Sequence, residues 1–166
     1  MNYNNKLKEK KNSFLKKENI FIFLIILFCV FLDRYTKNEV INNFSENVFF
    51  INNFINIDLI WNTGIGFGFL STESSLIYNL VSALVGVVIV TLCYFIIISE
   101  VTDKLIYAII IGGAIGNFYD RLIFNAVPDF IDLHYDRYHW FTFNVADIFI
   151  TLGIIIFLTN EFLKNK

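Results

Sequence analysis

The sequence has little proline, glycine, cysteine or charge. Of 166 residues, one is proline, eight are glycine and two are cysteine. A collagen-like or linker-rich chain needs far more of the first two. Cys29 and Cys93 each sit inside an apolar run, so neither a disulfide framework nor a CxxC metal site can be built from them. Both thiols are expected to be buried and inert. Charged residues make up 17% of the chain, against about a quarter in an ordinary soluble domain. A net charge of −2 offers no basic surface to nucleic acid. No GxSxG, Ser-Lys or HExxH pattern occurs, and no internal repeat is visible. What the chain does have is apolar: 56% of residues are hydrophobic and the mean hydropathy is +0.59. This is the composition of a single integral membrane domain.

A helix needs about 20 apolar residues to cross a bilayer. Residues 76–98 meet that without a charge, and 105–123 and 145–163 meet it once a few polar residues near one end are admitted. The apolar run 20–32 is too short alone, so the first span is expected to continue through Asp33 and cover 20–40. Asp33 could instead end a short interfacial helix, but an acid retained inside a span is rare, costly and a pointer to function. The tail, residues 1–19, carries Lys6, Lys8, Lys10, Lys11, Lys16 and Lys17 against Glu9 and Glu18. No small-residue cleavage site follows the apolar run, so a retained signal anchor is expected. Lysine-rich ends favour the cytoplasm. Lys164 and Lys166 follow the fourth span, so both termini are expected to be cytoplasmic.

The loop 41–75 would then lie outside, with Glu46, Asp58 and Glu73 and no lysine or arginine. Its runs 48–51 and 54–60 are rich in Phe and Ile and flank the turn signal Asn52-Asn53, which predicts a small hairpin on the outer membrane surface. The expected fold is an all-α membrane protein of four transmembrane helices, with a small extracytoplasmic β-hairpin or sheet element. A short outer flap is expected over 124–144, between helices three and four.

The polar residues of the spans converge on one depth. At 1.5 Å per residue, Asp33 lies roughly 20 Å from the inner end of the first span. Asp120 lies about 22 Å along the third span, and Asp147 about 24 Å from the inner end of the fourth. Asp33 and Lys37 are i,i+4 on one helix face. Asn117, Asp120 and Arg121 share a face of the third span, and Asn144 and Asp147 are i,i+3 at the start of the fourth. Gly112 and Gly116 form a small-xxx-small pair that admits a close helix. Pairing of Asp33 with Lys37 and of Asp120 with Arg121 is the expected structural role of those charges. Asp129, in the outer segment after Pro128, and Asp147 have no such local partner. Two carboxyls brought together in a partly dry site share a proton, and one then acts as base while the other acts as acid. His134 and His139 offer a weaker alternative, a metal site with Asp132 or Asp136, but their setting among Tyr and Trp reads better as an interfacial belt.

Five segments carry a family resemblance: Asp33-Arg34-Tyr35-Thr36-Lys37; Asn62-Thr63-Gly64-Ile65-Gly66-Phe67-Gly68; Gly112-Gly113-Ala114-Ile115-Gly116-Asn117-Phe118-Tyr119-Asp120-Arg121; Val127-Pro128-Asp129-Phe130-Ile131-Asp132; and Phe143-Asn144-Val145-Ala146-Asp147. In this order on a four-span scaffold they resemble lipoprotein signal peptidase, signal peptidase II, a bacterial aspartic protease of the inner membrane. The resemblance covers roughly residues 20–160. It implies that Asp129 and Asp147 are the catalytic pair. It also implies that Asn62, Asn117, Arg121 and Asn144 line the substrate groove, and that Asp33, Lys37 and Asp120 support the site. The implied reaction is hydrolysis of the bond before a diacylglyceryl-modified cysteine in a prolipoprotein, near the extracytoplasmic face, without metal or cofactor. The implied partners are such substrates and membrane lipid, and nothing in the sequence demands more than a monomer.

Two details depart from the family's usual pattern. The glycine segment has NTGIGFG where two alanines are commoner, and Pro128 replaces a valine before Asp129. Apart from the resemblance, an ion-coupled transporter or a non-enzymatic scaffold subunit would also carry intramembrane acids. Against the first, the polar groups gather at one edge, with no inverted repeat. The second leaves Asp129 and Asp147 without a role.

Overall fold

The structure is a computed structural model, and it describes residues 17–64 and 75–164. The lysines of residues 1–16, Ile65-Gly66-Phe67-Gly68 and Glu73 lie outside the described residues. Among the described residues four helices are each long and apolar enough to cross a membrane: α1 (Lys17–Asn43), α2 (Ser75–Ile98), α3 (Val101–Phe124) and α4 (Val145–Lys164). Helix α1 continues unbroken through Asp33 and Lys37, both of which face the protein interior.

Helix α3 is the centre of the bundle and packs against the other three. Its glycines allow that. A Cβ on Gly116 would meet the Asp33 carboxylate, and one on Gly112 would lie 2.5 Å from the Cβ of Cys29. Cys29 and Asp33 are themselves i,i+4, so one face of α1 seats against the small-residue stripe of α3. Helix α2 is different: none of its most apolar 18-residue window is buried. Cys93, expected to be buried, is accordingly exposed, because α2 turns most of its surface outward to where lipid would lie.

A four-stranded antiparallel sheet sits at the end of the bundle where α1 and α3 finish and α4 begins. It is formed by β1 (Phe49–Asn52), β2 (Ile55–Asn62), β3 (Val127–Tyr135) and β4 (Tyr138–Phe143), in that spatial order. The expected hairpin is β1–β2, and its turn is tightened by Asn52 Oδ1, which accepts from the amides of Phe54 and Ile55 at 2.8 and 3.0 Å. The segment expected as an outer flap is the second hairpin, β3–β4, which pairs along β2. Its alternation is hidden because most β3 side chains are buried on both faces. Pro128 is tolerated as the second residue of the strand, fully buried opposite Trp61.

Candidate active site

The sheet and the start of α4 bring three asparagines around two aspartates. In the β2–β3 register Asn62 pairs with Val127, and Asp129 is its diagonal neighbour on the same face. Asn62 Nδ2 donates to Asp129 Oδ2 at 2.8 Å, and its Oδ1 accepts from the amide of Gly64 at 2.8 Å. Asn144 lies where β4 gives way to α4. Its Nδ2 donates to Asp129 Oδ1 at 2.6 Å.

Asn144 and Asp147 also form a reciprocal capping box. Asn144 Oδ1 accepts from the amide of Asp147 at 3.1 Å, while the amide of Asn144 donates to Asp147 Oδ2 at 3.2 Å. The i,i+3 spacing seen in the sequence is therefore a helix start, and it fixes the carboxylate against the N-terminal turn, where the helix dipole favours an anion. Asn117 Nδ2 donates to Asp147 Oδ1 at 2.8 Å. One residue, Asn144, thus contacts both acids, and every described hydrogen bond to either carboxylate comes from an amide.

Asp129 is 2% exposed. Burial and the neighbouring Asp147 push its pKa up to about 7, against the opposing pull of the Asn62 and Asn144 hydrogen bonds and of Lys37. A carboxyl in that state holds a proton close to neutral pH.

The charged residues form a second cluster. Lys37 is fully buried, and its Nζ donates to Asp33 Oδ2 at 2.9 Å, Asp120 Oδ2 at 2.7 Å and Asn117 Oδ1 at 2.9 Å. Asp33 Oδ1 accepts from the amide of Ala146 at 3.1 Å, tying α1 to the first turn of α4. The expected Asp33–Lys37 pair is present. The expected Asp120–Arg121 pair is not: Asp120 takes Arg34 at 2.6 Å along with Lys37. Adjacent helix positions point about 100° apart, and Arg121 faces away from Asp120. Arg121 turns instead toward Gly64, whose carbonyl accepts from its Nη2, and its guanidinium carbon lies 5.5 Å from the Tyr78 ring centre.

Arg34 and Tyr78 were not singled out in the sequence. An arginine inside a span demands a partner, and that signal would have found Arg34. A lone tyrosine near the end of an apolar run reads as an interfacial anchor, so Tyr78 gave no signal. Asp132 and His139 form a cross-strand pair, Nδ1 to Oδ2 at 2.7 Å. Among the described residues no group of three or more His, Cys, Asp or Glu is arranged to hold a metal ion.

The chain is similar to known proteins over most of its length. A family model described as signal peptidase (SPase) II matches residues 25–163. A lipoprotein signal peptidase of Pelagibacter ubique is 42% identical over 154 residues, covering 90% of this chain and 93% of its own. One from Francisella tularensis subsp. novicida is 33% identical over 153 residues, covering 87% and 92%. Among solved structures, a bacterial membrane enzyme determined by the in meso method at 2.3 Å resolution superposes with a TM-score of 0.74 at 27% identity, covering 88% of this chain and 90% of that one. A second, at 1.9 Å resolution, gives a TM-score of 0.70 at 28% identity, covering 84% and 91%.

Proposed function

The chain belongs to the signal peptidase II family, and from that premise we propose that it is an aspartic endopeptidase in which Asp129 and Asp147 share one proton. The family makes it a multi-pass bacterial membrane protein of lipoprotein signal-peptide removal. The observation that carries the finer reading is that both carboxylates are buried and held by neutral amides, while the nearby cations Lys37 and Arg34 are engaged by Asp33 and Asp120.

With one proton between them, the ionised carboxylate takes a proton from water as the water oxygen attacks the scissile carbonyl carbon. The protonated carboxyl donates to the carbonyl oxygen, giving a neutral tetrahedral intermediate. Its collapse breaks the C–N bond. A proton passes to the departing nitrogen, which becomes the free amine of the cysteine, and the pair again carries one proton. Asn62, Asn117 and Asn144 fix the two carboxyls before substrate arrives, and with Arg121 they line the groove for the peptide main chain. Asp33, Lys37 and Asp120 hold α1, α3 and α4 in the positions this requires.

The substrate is a prolipoprotein whose cysteine carries diacylglycerol, cut just before that cysteine. The six lysines of the N-terminal tail and Lys164 support cytoplasmic termini, which puts the sheet and the aspartate pair near the extracytoplasmic face. A lipid-anchored substrate presents its cysteine at that level. The test is cleavage of a synthetic prolipoprotein peptide, with and without diacylglycerol on its cysteine, by purified wild-type and Asp147→Asn protein. Cleavage of the lipidated peptide alone, lost in the variant, is expected. No cleavage of either peptide by folded wild-type protein would overturn the reading in favour of a transporter or scaffold subunit.

A further inference from the structure

Helix α2 carries no charged residue and none of the site residues, yet it touches the site once. Tyr78, three residues into the helix, is buried, and its hydroxyl donates to the carbonyl of Arg121 at 2.8 Å. Its ring lies beneath the guanidinium of the same arginine, 5.5 Å from centre to Cζ.

The carbonyl of Arg121 is one of the last four of α3, which have no regular intrahelical donor. In a dry environment such a group needs a partner, and a tyrosine hydroxyl supplies one. The ring contact adds a second constraint, on the cation's direction. Tyr78 therefore grips Arg121 at both its main chain and its side chain. Arg121 Nη2 is engaged by the Gly64 carbonyl, while Nη1 is buried without a partner among the described residues. A buried guanidinium N–H left unpaired is costly unless a ligand completes it.

We propose that Tyr78 is a positioning residue for substrate binding, holding Arg121 so that its unpaired Nη1 meets a main-chain carbonyl of the prolipoprotein. This rests on the reading above of Arg121 as a groove residue. An interaction made equally in the bound substrate and in the transition state changes KM and leaves kcat alone. Tyr78 thus couples the otherwise lipid-facing α2 to peptide recognition.

The experiment is a double-mutant cycle on cleavage of the lipidated peptide, using Tyr78→Phe, Tyr78→Leu and Arg121→Ala. Loss of one hydrogen bond is worth about 0.5–1.5 kcal/mol, so Tyr78→Phe should raise KM roughly 2- to 12-fold with kcat within about twofold. Tyr78→Leu, which also loses the ring contact, should raise KM further. In the Arg121→Ala background Tyr78→Phe should leave KM unchanged, because the guanidinium that Tyr78 positions is gone even though the main-chain carbonyl remains. A purely structural cap on α3 predicts another pattern: a lowered unfolding temperature and the same KM effect in both backgrounds. That pattern, or an unchanged KM in Tyr78→Phe, would overturn the proposal even though wild-type protein cleaves. Failure of wild-type protein to cleave overturns the functional reading and this inference together. If Tyr78→Leu does not fold, Tyr78→Phe in the two backgrounds still decides.

Discussion

Asp33 and Asp120 meet cations, whereas among the described residues Asp129 and Asp147 meet only amides. The two pairs are joined through Asn117, which accepts from Lys37 and donates to Asp147, so they occupy one buried region under one set of constraints. In the first pair, Lys37 and Arg34 neutralise two carboxylates, three of whose four oxygens make contacts between helices. In the second, no cation among the described residues pairs with either acid, and Asp129 retains its proton to about pH 7. The same residue type is thus a fastener in one cluster and, in the proposed function, a proton donor or acceptor in the other. The partner decides which: a compensating cation locks the ionised form, while neutral amides orient a carboxyl without fixing its charge.

The comparison breaks most sharply if the two clusters are neutralised in turn. Asp129→Asn and Asp147→Asn should each lower turnover by roughly 10²–10⁴-fold, the usual worth of a positioned acid or base, while the protein stays folded in detergent. Lys37→Met should do the opposite. It removes the buried ammonium that Asp33 and Asp120 share, leaving Arg34 to serve both, and removing one partner of a buried pair costs about 3–5 kcal/mol. Loss of folded protein, seen as a fallen unfolding temperature or as aggregation, is the expected result. Normal turnover in either asparagine variant, or a Lys37→Met protein as stable as wild type, would erase the distinction.

The pH dependence of stability sharpens it. Asp129 has a folded-state pKa of about 7, above the ordinary carboxyl value of 3.8. Between those values the folded protein holds a proton that the unfolded chain has released. Its contribution is therefore complete below the lower value and is lost as pH rises through about 7. The unfolding temperature of wild-type protein in detergent should fall as the pH is raised through neutrality. Asp129→Asn should flatten that decline, because the amide has no proton to lose. A decline equally steep in the variant would show that another group is responsible.

The helical half of this arrangement could be read along the chain, and the sheet half could not. Asp33 and Lys37 share a helix face four residues apart, and Gly112 and Gly116 mark where another helix comes close. Both relations are local, so periodicity reveals them. Asn62 and Asp129 meet only through the register of two strands 67 residues apart, and no short-range pattern encodes that. Strand β3 was also disguised. Proline at its second position and buried side chains on both faces conceal the alternation that marks an ordinary strand. Asn144 was legible as a neighbour of Asp147, but its contact with Asp129 depends on how β4 delivers it. Arg121 is adjacent to Asp120 in the sequence but meets Gly64 and Tyr78 in space, contacts that no local spacing encodes.

Another ion pair, at the opposite end of the bundle, isolates burial as the deciding variable. Lys164 Nζ lies 3.0 and 2.9 Å from the two carboxylate oxygens of Asp103, joining the last turn of α4 to the first turn of α3. These distances match those around Lys37, yet the Lys164 side chain is 45% exposed. Water solvates either partner once the other is removed, and salt screens their attraction. Asp103 would also keep Asn160, whose Nδ2 donates to it at 3.0 Å. Lys164→Ala should therefore leave both the unfolding temperature and the turnover of lipidated peptide unchanged within error. A loss approaching that of Lys37→Met would mean that ion pairing itself, rather than its removal from water, makes the Lys37 cluster indispensable.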